Sequence, residues 1–282
     1  MTSPMNKPKL KAPPGACDTH FHIYEPEYPK WPTAPRPPTP DATYADYVKI
    51  AANLGLERFV VVQPTAYGHD NSCTLEAVEK LGGPAKAKAV VVVDLETTDA
   101  ELEKLTAQGS VAIRYHFFPG GALPWDNFGT LANRVHDHGW HVQLQMNCRE
   151  LPEKLDLIRK VPGKLVIDHC GKFIDLVKPD HPGFKALQGL VDEGNTWIKL
   201  SAPYEFSTSG PPFFDDVSDL TKLLIEQAPD RMLWASNWPH PGNQNPRPDD
   251  VILLDTLLDW AGDDVTIKKI LSDNPAEVYG FE

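Results

Sequence analysis

Eight times along this chain a short apolar run rich in β-branched residues recurs, and nearly every one is followed by a stretch of helical period. The runs cover residues 15–23, 58–65, 88–95, 111–117, 141–147, 164–170, 196–202 and 231–238. Helix-like segments lie between them at 71–81, 98–108, 128–138, 150–160, 182–193 and 215–227. The first gap adds a stripe of Tyr44, Tyr47, Val48 and Ala51 stopped by Gly55. Continuous apolar strands that alternate with amphipathic helices indicate a parallel sheet covered on its outer face. Eight of them predict an α/β fold, a single (β/α)8 TIM-type barrel. An open doubly wound sheet is the rival, but the first strand-to-helix turn has no Gly-rich phosphate loop. Residues 250–261 and 265–279 would be a closing helix and a C-terminal cover.

The division expected is an N-terminal arm over 1–14 and one barrel domain over 15–282. The arm carries Lys7, Lys9 and Lys11 among prolines and lacks the apolar segment of a signal peptide. No stretch approaches the ~20 apolar residues of a membrane span. Cys17, Cys73, Cys148 and Cys170 form no CxxC pair, so a reduced, cytoplasmic protein is expected. A net charge of −12 disfavours nucleic acid and anionic membrane surfaces as partners. A small anionic substrate responds to the field of its pocket instead. Oligomeric state, a homo-oligomer included, is left open. Seven prolines between Tyr24 and Pro40 predict a long loop, either over the site or merely on the surface.

In a (β/α)8 barrel the active site sits at the C-terminal ends of the strands, and the polar residues collect there. The first run, Gly15-Ala16-Cys17-Asp18-Thr19-His20-Phe21-His22-Ile23, ends in two imidazoles two residues apart. Alternation on a strand would point Asp18, His20 and His22 one way. Gln63, Tyr67 and His69 follow the second run; His69 serves equally well in a turn before a helix. Arg114 and His116 lie on the fourth run, Gln143 and Gln145 on the fifth, Asp168 and His169 on the sixth, Lys199 and Ser201 on the seventh, Asn237 and His240 on or after the eighth. Arg114, between Ile113 and Tyr115, has the fork that suits a carboxylate. Lys172 follows the sixth run.

Three motifs, Asp-Thr-His-Phe-His, Val-Ile-Asp-His-Cys-Gly-Lys and Trp-Ala-Ser-Asn-Trp-Pro-His, resemble the amidohydrolase superfamily. The branch they most resemble includes 2-pyrone-4,6-dicarboxylate lactonase, sugar-acid lactonases and D-galactarolactone isomerase. The resemblance runs from about Gly15 to the Asn274-Pro275 pair. It implies a distorted barrel with long loops at its catalytic face, and opening or rearrangement of a lactone bearing carboxylates without a metal or other cofactor. By motif it implies catalytic roles for His20, His22, His169 and His240, and Asn237 between them is expected to join them. Arg114 would contact a substrate carboxylate, with Lys172, Lys199, Tyr67, His69 and Gln145 as further substrate-binding residues.

Two positions depart from the hydrolytic members of that branch. Asn237 stands where they carry an aspartate that activates water, and Lys172 stands where an arginine is more usual. An amide accepts no proton at neutral pH. Asn237 therefore reads as a natural variant of the isomerase type, as a substituted aspartate, or as part of a lactonase whose base is a histidine. Attack on the ring carbonyl needs a base and a carbonyl polariser. One of His20, His22, His169 or His240 would be the base, and Lys199 or a protonated histidine the polariser. The alternatives are a metal-dependent hydrolase or decarboxylase with zinc on His20, His22 and His169, and a degenerate barrel that binds sugar acids.

Overall fold

The computed structural model describes residues 6–34, 42–242 and 246–282. Eight strands lie in parallel in the order in which they occur in the chain: β1 (Cys17–Phe21), β2 (Arg58–Val62), β3 (Ala87–Val91), β4 (Ser110–His116), β5 (His141–Gln145), β6 (Leu165–Ile167), β7 (Thr196–Leu200) and β8 (Met232–Trp234). The helices between them are α1 (Tyr44–Leu54), α2 (Ser72–Lys80), α3 (Asp99–Ala107), α4 (Phe128–His136), α5 (Leu151–Ile158), α6 (Pro182–Asp192) and α7 (Asp215–Gln227). After β8 come α8 (Asp250–Trp260), α9 (Asp264–Lys268) and α10 (Asn274–Tyr279). This is the (β/α)8 barrel that the alternation predicts. Its seam closes just past the strands, where Asn237 N–H donates to His20 O and His22 N–H to Trp238 O, both at 2.8 Å.

Period-two alternation splits the apolar residues into two cores. Val61, Ile113, Leu144, Ile167 and Ile198 face outward and pack with Tyr47, Leu102, Leu131, Phe184, Leu224 and Leu254 of the helices. Val60, Val62, Val90, Ala112, Val166, Trp197 and Leu233 face inward, joined by Tyr279 of α10. Each such side chain contributes ~1.5–3 kcal/mol by leaving water. Local chemistry sets the helix ends. Thr43 with Asp46 and Thr98 with Glu101 form capping boxes, and Gly55 ends α1 at φ 78°.

Two expectations need correction. Asp18 does not share a face with His20 and His22, because the β1–β2 register shifts between Asp18 and Phe21. Its carboxylate instead accepts from Tyr47 of α1 at 3.0 Å and from Ser236 N–H and Oγ–H at 3.0 and 2.5 Å. The last three strands are also shorter than the apolar runs. His169, Cys170, Lys172, Ala202, Asn237 and His240 all have φ between 41° and 63°, and a ladder cannot continue through such residues. Residues 168–172, 201–202 and 236–240 therefore lie beyond the strand ends.

The proline-rich segment has neither helix nor strand over residues 24–34, and residues 35–41 lie outside the described residues. Trp31 N–H donates to Ala66 O at 2.7 Å, and a Cβ at Gly68 would stand 2.4 Å from the Trp31 ring. Glycine is what lets this loop settle on residues 65–69. At the other end of the barrel, Lys9 and Leu10 N–H donate to Asp255 of α8. No described helix is long and apolar enough to cross a membrane.

Candidate active site

A cavity of about 270 Å³ opens at the C-terminal end of the barrel. His22, Arg114, His116, Gln145, His169, Lys172, Glu205 and Asn237 line it, with Tyr24 and Phe118 as aromatic wall. Polar side chains here form two layers.

The lower layer is closed on itself. Lys199, with no exposed surface, donates to Thr19 O at 2.7 Å and to Gln143 Oε1 at 2.6 Å. Gln143 Nε2 donates to Asp168 Oδ2 at 3.0 Å, and Asp168 Oδ1 lies 3.6 Å from Lys199 Nζ. His20 Nδ1 stands 3.3 Å from Asp168 Oδ1 and 3.4 Å from Lys199 Nζ. Burial lowers Lys199 to about 8, with Asp168 opposing the shift. Burial and then the Lys199 charge hold His20 well below the ordinary imidazole range.

The upper layer is open. His22 Nδ1–H donates to Val62 O at 2.7 Å, because a carbonyl only accepts, so Nε2 of the neutral ring is a lone pair. That Nε2 is 3.3 Å from His20 Nε2. His20 Nδ1 lies between the Asp168 carboxylate and the Lys199 ammonium. His116 Nδ1–H points at Gln145 Oε1 at 3.0 Å, leaving Nε2 a lone pair, and His169 Nδ1 meets Ser201 Oγ at 2.8 Å. Burial, followed by the Arg114 charge, lowers His22 and His116 to about 3. Burial also holds His169 well below its usual range. Arg114 donates to Gln63 O at 2.6 Å and to Gln145 Oε1 at 2.9 Å. Its Nε has no partner, and no carboxylate of the described residues lies within ion-pair distance of its guanidinium.

Asn237 is held from behind. His240 Nε2 lies 3.1 Å from Asp250 Oδ1, which favours the proton on Nε2 and leaves Nδ1 to accept from Tyr204 O–H at 2.9 Å. The Tyr204 oxygen in turn accepts from Asn237 Nδ2 at 2.9 Å, and Glu205 Oε1 lies 3.4 Å from the same nitrogen. Glu205 only accepts, so a flipped amide would face its oxygen to a carboxylate. Lys172 pairs with Glu205 and lies 4.6 Å above the Phe118 ring.

Of the residues singled out from sequence, His22, Arg114, Gln145, His169, Lys172 and Asn237 meet around the cavity. His20 and Lys199 lie beneath it, and His240 lies behind Asn237. Tyr67 does not line it; its hydroxyl bonds Glu25 N–H and O at 3.1 Å and ties down the proline-rich loop. His69 lies in a separate hollow beside Asp94 and the Trp31 ring, because Gly68 at φ 54° turns the chain away. The sequence reading passes over Glu205 and Tyr204 altogether. It records His116 without a role, although its place two residues after Arg114 on one strand face was a usable signal. For Glu205 the only signal was a carboxylate three residues after a strand run.

His20, Asp168 and His169 bring one donor atom each within 4.8 Å of one another, so a metal must be tested against this set. Asp168 faces Nδ1 of His20, the ring edge opposite the one that meets His22, and is engaged by Gln143 and Lys199. One ion cannot take Asp168 together with the His20–His22 Nε2 pair. Residue 237 offers an amide, and two buried cations, Arg114 and Lys199, stand nearby. Asp168, the one carboxylate of the set, is already taken up by Gln143 and Lys199, and with the two cations beside it the set does not fit a resident divalent ion.

Residues 17–281 match the amidohydrolase family model. The chain is 34% identical to D-galactarolactone isomerase of Agrobacterium fabrum, over 96% of this chain and 93% of that protein. It is also 34% identical to a 2-pyrone-4,6-dicarboxylate hydrolase of Comamonas testosteroni, over 97% and 93%. A solved Agrobacterium tumefaciens protein superposes with a TM-score of 0.91 at 34% identity, covering 98% of this chain and 99% of that one. A strand-1 HxH pair, a polar cup at the strand ends and a match over nearly the whole length lead to one conclusion: the chain belongs to the amidohydrolase family.

Proposed function

We propose that this chain is an enzyme that rearranges or opens a small lactone bearing at least one carboxylate, by attack on the ring ester carbonyl. The observation that carries the reading is Arg114, a buried guanidinium in the cavity wall with no carboxylate of the described residues paired to it. A buried cation is costly unless an anion meets it, and a substrate carboxylate is the anion that fits. The relatives support the ring: one is named for a lactone, another for a pyrone dicarboxylate.

In this reading Arg114 and Gln145 hold the carboxylate, and Lys172 faces the carbonyl oxygen as it gains charge. Asn237, its amide fixed by Tyr204, orients the nucleophile through its carbonyl oxygen. That role favours rearrangement. A hydroxyl tethered on the substrate already has a high effective concentration and needs orientation more than capture. The same proposal places the protein in a reducing cytoplasm, which suits four buried free thiols.

The test is to incubate the protein with a panel of aldaric and aromatic lactones in H₂¹⁸O and to follow ring connectivity by NMR and label uptake by mass spectrometry. Rearrangement yields a new ring without label, and hydrolysis yields a labelled acid. A protein inert on every lactone of the panel overturns the proposal.

A further inference from the structure

The cavity holds three imidazoles, and burial, with the Arg114 charge added to it, disfavours a proton on each of them. Nδ1 of each is engaged, by Val62 O for His22, Gln145 Oε1 for His116 and Ser201 Oγ for His169. The Nε2 lone pairs of His22 and His116 face a field set by Arg114. Asn237 is an amide and Asp168 is sealed beneath by Gln143 and Lys199. Among the described residues that line the cavity, one carboxylate remains, Glu205.

Glu205 ends the single turn Pro203–Glu205 that follows β7, entered through Ala202 at φ 50°. Its side chain is 11% exposed. One oxygen faces Asn237 Nδ2 and the other pairs with Lys172, so the carboxylate is held beside the amide that would orient the nucleophile and beside the cation that would face the carbonyl.

Resting on the lactone reading above, we infer that Glu205 is the proton carrier of this site. The nucleophile's O–H bond breaks and its proton passes to the Glu205 carboxylate as the new C–O bond forms at the ring carbonyl. The tetrahedral centre then collapses, the ring C–O bond breaks, and Glu205 returns the proton to the leaving alkoxide. A rearrangement consumes nothing else; in hydrolysis the nucleophile is water, the sole co-reactant. Glu205 is a catalytic residue on this account, and Asn237, Tyr204 and His240 are positioning residues.

The experiment uses the panel lactone that the wild-type protein turns over fastest. Glu205→Gln should lower kcat by about 10²–10⁴-fold with KM little changed. Glu205→Ala should fall equally far and regain turnover when formate is added, whereas Glu205→Gln should not. If Glu205 only tethers Lys172, formate restores nothing to Glu205→Ala, and the inference falls. Circular dichroism checks both Glu205 variants. Should the alanine variant not fold, Glu205→Asp decides: it should keep a kcat well above that of Glu205→Gln, and a Glu205→Asp as slow as Glu205→Gln overturns the inference. A wild-type protein inert on the whole panel removes both readings, whereas an active wild type with an equally active Glu205→Gln removes this one alone.

Discussion

Lys199 and Arg114 are both buried cations inside one barrel, yet their surroundings differ. Lys199 meets Thr19 O, Gln143 and, at 3.6 Å, Asp168, with Tyr279 closing the interior beneath it. Among the described residues Arg114 meets only neutral acceptors, and its guanidinium lines the cavity. A charge whose partners are all internal supports the fold, whereas a charge left without its counter-ion waits for one from outside. The two layers thus divide the labour: the lower layer fixes His20 and through it His22, and the upper layer presents charge to a ligand.

The largest effect that could break this division is expected at Lys199. Lys199→Met strands Asp168 and should destabilise the protein by about 3–5 kcal/mol, read as a lower urea midpoint. Unchanged stability with lost turnover would move Lys199 into the chemical site. Arg114→Ala should do the reverse: stability nearly kept, but KM for a lactone with two carboxylates raised about 10–100-fold, the equivalent of the ~1.5–3 kcal/mol of a charge-assisted hydrogen bond.

A smaller, shared effect is the pH dependence of stability. His20, His22, His116, His141 and His169 are all held below 6.5 by burial, His22, His116 and His141 at about 3. The folded state therefore binds fewer protons than the unfolded state between about 3 and 6.5. The stability these neutral rings carry is complete above 6.5 and is lost as pH falls through that window, at up to about 1.4 kcal/mol per ring per pH unit. Asp18, raised by burial from 3.8 to about 6, slopes the other way over part of it. Urea midpoints should fall from pH 7 to pH 5; a flat profile would mean that the rings are charged in the folded protein. The smallest effect belongs to His69, outside the cavity: His69→Ala should change neither kcat/KM nor stability by more than about 0.5 kcal/mol. A larger loss of turnover would extend the site over the second hollow.

The barrel was legible because its signal is local and repeated. Runs such as Phe59 to Val62 or Ala89 to Val93 cannot lie on a surface, and the stretches after them have one apolar stripe each. Arg114 and His22 were legible for the same reason, since a polar residue inside an apolar strand has to face something polar. Helix ends agreed to within about two residues, because caps such as Thr43 and Thr98 act within one turn. Asp18 was misplaced because a single register shift reverses the face of what precedes it. Tyr67 and His69 followed a strand in the same way as Asn237 does, and nothing in the sequence reveals that Glu25 claims the Tyr67 hydroxyl or that Gly68 turns His69 out of the cavity.

Sequence alone determined the fold, the end of the barrel where polar groups gather, and the amide at position 237, since each rests on residue type and short-range period. Only the tertiary structure decided which of those groups are already satisfied. Lys199 closes on strands β1 and β5, 180 and 56 residues away in the chain. Glu205 comes to Asn237 from 32 residues away. Partnership of that kind depends on the closing of the barrel, in which residues far apart in the chain share a few ångströms of space. The same closure leaves Arg114 with an unpartnered donor and Glu205 beside the amide.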